Sequence, residues 1–177
     1  MDFNVESLPY LLHVEYTGGW TCKSKGVFID PDGIEYRYED TNGWKSFYEE
    51  NFNNLNDAID IDAETYFDNI QEVIRPDALF HNLSLCRIKR SSKGRYTNNN
   101  LAISEEMIGD LMNCKVVYKS DFVIHDAPTK TFSLLVYDGK NGCYKDVFLS
   151  STGSRNVQNS SVYTDSLVAK LAIHRLS

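Results

Sequence analysis

Four histidines, four cysteines and one acidic run are the residues of this chain whose chemistry deserves a first test. His13, His81, His125 and His174 are widely separated in sequence, and only His125 has a carboxylate directly beside it, Asp126. That pair would serve a Ser or Cys nucleophile only if the fold supplied one. Cys22, Cys86, Cys114 and Cys143 contain no C-x-x-C pair, so spacing argues for neither a zinc site nor a dithiol redox centre. The chain has no G-x-S-x-G, G-x-G-x-x-G, G-x-x-x-x-G-K-[ST] or H-E-x-x-H motif, and no H-x-E followed by C-x-x-C. No catalytic residue, cofactor or metal ligand is therefore assigned. The run Asp57, Asp60, Asp62, Glu64, Asp68 fails the calcium-loop template, because Thr65 stands where Gly is needed and Gln71 where the bidentate Glu belongs. Those carboxylates read either as a solvated helix start or as an acidic docking face.

Charge is divided unevenly. The net charge is −7, yet residues 1 to 80 hold 5 Lys+Arg against 17 Asp+Glu, while residues 81 to 177 hold 13 against 8. An acidic half disfavours nucleic acid and anionic membranes as partners and speeds association with a basic protein. The basic stretch Arg87, Lys89, Arg90, Lys93, Arg95 could contact phosphates, but reads first as a solvated loop. Trp20, beside Gly18-Gly19, and Trp44 are candidate partly exposed anchors for a protein partner; core packing is the alternative for each.

The elements that must position these groups follow from periodicity. Leu12, Val14 and Tyr16 alternate with His13, Glu15 and Thr17, as in a half-buried strand. Val27-Phe28-Ile29 and Ile34 to Tyr38 flank Asp30-Pro31-Asp32-Gly33, a hairpin turn in which Pro presets φ and Gly takes a positive one. Trp44, Phe47, Tyr48 and Asn51 predict a short helix over Lys45 to Phe52. Asp62 caps a second, whose face is Phe67, Ile70, Val73 and Ile74 and which Pro76 stops; a further turn is expected around Ala78 to Leu83. Arg87 to Asn100 reads as a loop, and Ser104 as the N-cap of a helix carrying Met107, Ile108, Leu111 and Met112. Val116 to Tyr118, Phe122 to Ile124, Phe132 to Tyr137 and Tyr144 to Leu149 predict an antiparallel meander. A polar stretch from Ser150 to Ser160 leads to a last helix with Tyr163, Leu167, Val168, Leu171 and His174 on one face. The expected architecture is α+β: one domain over 1–177, with an N-terminal hairpin plus a C-terminal meander packed against three to four helices.

No apolar run approaches the ~18 residues needed to span a bilayer, and the first residues are acidic where a secretory signal is basic, so a cytoplasmic protein is expected. A small acidic α+β chain rich in Asn and aromatics, without enzyme motifs, resembles the immunity proteins of bacterial toxin systems, including those of contact-dependent growth inhibition. The resemblance is one of type across the chain and carries no motif. It implies a stoichiometric inhibitor that binds a cognate basic toxin one to one, a nuclease being the expected class, with no direct nucleic-acid or membrane contact. Charge layout then assigns Asp57, Asp60, Asp62, Glu64 and Asp68 as partner-binding residues, and Trp20 and Trp44 join them as aromatic anchors. Two rivals stand: an enzyme assembled around His125 and Asp126, and a phage or regulatory adaptor touching nucleic acid through Arg87, Lys89, Arg90, Lys93 and Arg95.

Overall fold

The computed structural model describes residues 8–18, 23–39, 70–74, 87–91, 102–119, 127–153 and 156–172. Among these residues there are nine strands: β1 (Tyr10–Gly18), β2 (Lys23–Ile29), β3 (Glu35–Glu39), β4 (Ile70–Ile74), β5 (Arg87–Ser91), β6 (Val116–Tyr118), β7 (Thr129–Asp138), β8 (Cys143–Thr152) and β9 (Val157–Asn159). Two helices accompany them, α1 (Glu105–Asn113) and α2 (Thr164–Ala172). All the strands join one sheet in the order β5-β3-β2-β1-β7-β8-β9-β6, with β4 also beside β8. Every pairing is antiparallel. The long pairing of β1 with β7, from Tyr10 opposite Val136 to Thr17 opposite Thr129, welds the N-terminal hairpin to the C-terminal strands.

Local chemistry sets the turns. Asp30 Oδ1 accepts from the backbone N–H groups of Asp32 and Ile34 at 3.0 and 2.8 Å, and Gly33 takes φ 79°, which a side chain would resist. At the β7–β8 turn, Asp138 Oδ1 accepts from Lys140 N and Oδ2 from Asn141 Nδ2, while Gly142 takes φ 62°.

The two helices cover one face of the sheet. Ser104 caps α1, its Oγ accepting from Met107 N at 3.2 Å, with Glu105 and Glu106 in the first turn. Leu111, Leu167 and Leu171 are buried against Leu12, Val14, Val27, Ile29, Phe132, Leu134, Val147 and Leu149, with Met107, Ile108, Met112 and Val168 packed around them. This apolar cluster fills the space between the helices and the sheet, and its burial stabilises the fold.

Several expectations are corrected. Two short helices, not three to four, are present among the described residues, and the body is antiparallel sheet. Ile70–Ile74 is a strand, not the face of a helix. Ile70, Val73 and Ile74 at i, i+3 and i+4 fit a helix, but all three are β-branched and β8 offers them a ladder, with a register shift between Ile70 and Glu72. Arg87–Ser91 is a strand paired with β3 rather than part of a loop. Val157–Asn159, inside the polar stretch, pairs with both β8 and β6. The C-terminal strands are thus not a sequential meander: β6 lies at the end of the order and is joined to β7 by a crossover. The helices expected over 45–52 and 78–83 and the strand expected at 122–124 lie outside the described residues.

Candidate functional site

Alternation along β1 puts Tyr10, Leu12 and Val14 under the helices and Leu11, His13 and Glu15 on the other face. Both sets are buried, which corrects the half-buried reading of this strand. On the second face His13 stands between Phe28 and Ser133, and Glu15 between Gly26 and Thr131. Tyr36 and Tyr38 continue the rows on β3, and Asp146 and Phe148 continue them on β8. His13, Glu15, Ser133, Asp146 and three tyrosines, 36, 38 and 144, are thus buried on one sheet face.

Within this layer His13 is held from two directions. Its ring stacks on Phe28 at 4.1 Å between centroids and 5° between planes, and Nε2 lies 2.8 Å from the Tyr38 hydroxyl. Tyr38 reaches His13 because Gly26 lies between them: a Cβ there would fall 2.5 Å from the Tyr38 oxygen. Burial pushes the imidazole down to about 3, so it is neutral around pH 7. A base that weak takes a proton poorly at neutral pH, and its Nε2 is engaged by Tyr38. The Tyr144 hydroxyl, raised by burial and then by Tyr137, donates to Leu8 O at 3.1 Å. The layer is therefore arranged to fill and orient the sheet's second face.

The junction of α1 and α2 is different, because its charges meet solvent. Asn159, 0% exposed, donates through Nδ2 to Leu111 O at 2.9 Å and Phe148 O at 3.0 Å, and its Oδ1 accepts from Ser161 N. One side chain thereby fixes the end of α1, β8 and the entry to α2. Ser161 Oγ donates to Asp110 at 2.5 Å, and the Tyr163 hydroxyl donates to Glu106 at 3.3 Å. Glu105, Glu106 and Asp165 are exposed and Asp110 is half-exposed. The field of this group is felt locally: the Tyr163 phenol is raised, most by the Glu106 charge, with a smaller contribution from Asp110. Next to Tyr163 stands Val162, the large hydrophobic residue that is exposed among those described, at 82%. Lys119 approaches Asp165 at 3.6 Å across solvent, a pairing that holds little free energy. The result is an exposed valine whose two chain neighbours are tied to carboxylates of α1, Ser161 to Asp110 and Tyr163 to Glu106.

Of the residues expected to form a site, Asp57, Asp60, Asp62, Glu64, Asp68, Trp20 and Trp44 lie outside the described residues, as do Lys93, Arg95, His125 and Asp126. Arg87, Lys89 and Arg90 lie on β5, in register with Glu39, Arg37 and Tyr36. Three described carboxylates of the acidic half, Glu15, Asp30 and Glu35, are buried and form no surface patch. Sequence reading misses the α1–α2 junction because nothing in one dimension brings Asp110 to Ser161 or Glu106 to Tyr163. Among the described residues no group of three or more His, Cys, Asp and Glu is placed to hold a metal ion, and no helix is long and apolar enough to cross a membrane. No protein-family model matches the chain, and the searches found no significantly similar curated protein or solved structure.

Proposed function

We propose that this chain is a stoichiometric protein inhibitor of the toxin-immunity type, binding a basic protein partner one to one in the cytoplasm. The observation that supports this reading best is Val162, 82% exposed between Ser161 and Tyr163, whose hydroxyls bond the carboxylates of Asp110 and Glu106. An apolar anchor inside a charged rim is the anatomy of a protein-docking surface, and the rim's sign selects a cationic partner. A nuclease toxin fits that description, since its cleft must attract phosphate. The acidic balance of residues 1 to 80 adds long-range attraction of the same sign.

Co-expression with the product of the adjacent reading frame tests the reading. A one-to-one complex and restored growth support it; independent elution of the two proteins with toxicity undiminished contradicts it.

A further inference from the structure

The tip of the β7–β8 hairpin carries a dipeptide able to modify itself. Asn141 is followed by Gly142, and both are exposed. An asparagine side-chain amide is one five-membered ring away from the backbone nitrogen of the next residue, and glycine, with no side chain, hinders that ring closure least. The space beside Gly142 is open, since a Cβ at that position would meet nothing within 4 Å.

The hairpin restrains both reacting groups through one residue. Gly142 N, which would be the nucleophile, donates to Asp138 O at 2.8 Å, and Asn141 Nδ2, which would be the leaving group, donates to Asp138 Oδ2 at 2.8 Å. Asn141 N shares the Asp138 carbonyl at 3.2 Å. Asp138 is itself anchored: Lys140 N donates to Oδ1 at 3.1 Å, Lys145 Nζ lies 2.9 Å from Oδ2, and the residue closes the β7–β8 ladder opposite Cys143. Asp138-Gly139 offers the same ring closure. Its carboxyl, however, is held at about 2, chiefly by hydrogen bonds from Lys145 and Asn141, and a carboxylate anion is a poor electrophile. Asn141 is therefore the reactive position of the turn.

We propose that Asn141 is a spontaneous deamidation site restrained by Asp138, reacting when the hairpin tip opens. Gly142 N loses its proton to solvent hydroxide and bonds to Asn141 Cγ; the Cγ–Nδ2 bond breaks, and ammonia leaves with a proton taken from water, which returns the hydroxide. Water then opens the resulting succinimide at either carbonyl, leaving aspartate or isoaspartate at position 141, with no oxidation or reduction. The product sets a carboxylate where a donor to Asp138 stood, and isoaspartate also lengthens the backbone by a methylene. The tip cannot remake its hydrogen bonds, so each conversion is a permanent record of local opening. The site uses no residue of the α1–α2 junction and stands or falls separately from the inhibitor reading.

Peptide mapping by mass spectrometry of the full chain, incubated at neutral pH with and without urea, tests this. In urea Asn141 should convert at a rate comparable to Asn42, which also precedes glycine. In the folded chain it should convert about thirtyfold more slowly, because two hydrogen bonds must be released before attack. Folded Asp138→Ala, which loses the carboxylate bond and keeps the backbone one, should convert about fivefold faster than folded wild type. Asp138→Ser, which can still accept from Lys140 N, is the second variant and should do the same. Circular dichroism confirms that each is folded. Conversion of Asn141 in urea no faster than that of Asn113, which precedes Cys114, would overturn the site. Equal rates in the folded and unfolded chain would overturn the restraint, and folded Asp138 variants that convert at the wild-type rate would remove Asp138 from it.

Discussion

The Tyr38 hydroxyl meets Nε2 of His13 at 2.8 Å by crossing the bare backbone of Gly26, so one missing side chain joins three strands in a buried polar contact. A methyl group at position 26 would fall 2.5 Å from both the Tyr38 oxygen and Val14 O. Gly26→Ala should therefore cost about 1–3 kcal/mol by overpacking. Tyr38→Phe, which keeps the ring and removes the hydroxyl, should cost about 1 kcal/mol. Urea unfolding at pH 7 checks both, and a Gly26→Ala protein as stable as wild type would contradict the crossing geometry.

Burial of His13 makes stability depend on pH. The folded imidazole titrates near 3 and an unfolded one near 6.5, so below 6.5 the unfolded chain takes up the proton first. The contribution is complete above pH 6.5 and is lost as pH falls toward 3, at up to about 1.4 kcal/mol per pH unit. His13→Gln should flatten the fall between pH 6 and 4, read from urea midpoints.

Asp138 acts in a lower window. Its carboxylate is held at about 2, chiefly by hydrogen bonds from Lys145 and Asn141, against an ordinary value of 3.8. The folded form keeps the charge after the unfolded form has lost it, so this contribution is present above pH 4 and disappears on descent to pH 2. Asp138→Asn should remove the dependence in that interval while leaving the His13 window intact.

Asn159 should be among the least replaceable residues. Asn159→Ala leaves Leu111 O and Phe148 O buried without this donor and Ser161 N without its acceptor, at an expected cost of about 2–4 kcal/mol. Thermal unfolding should show it, with Ser161→Ala costing less.

Legibility followed the range of the forces. The hairpin was readable because Asp30-Pro31-Asp32-Gly33 makes its own turn within five residues, and α1 because Ser104 caps it locally. β5 was hidden because a run of Arg and Lys has the composition of a loop, and only the backbone ladder of β3, some fifty residues away in sequence, makes it a strand. His13 and Glu15 obeyed the alternation of β1, yet their face was read as outward, since burial on both sides is a property of a central strand and not of its pattern. The α1–α2 junction rests on Asp110 with Ser161 and Glu106 with Tyr163, contacts 51 and 57 residues apart that no local signal announces.

The central proposal is that Val162 and the carboxylates of the α1–α2 junction hold a cationic protein. Calorimetric titration of the adjacent reading frame's product into wild type, into Glu105→Lys with Glu106→Lys and Asp165→Lys, and into Val162→Asp addresses it directly. A one-to-one complex whose affinity falls at least a hundredfold on charge reversal and at least tenfold for Val162→Asp, and which weakens as salt rises, is the predicted result. Equal affinities for all three proteins, independent of salt, would contradict it.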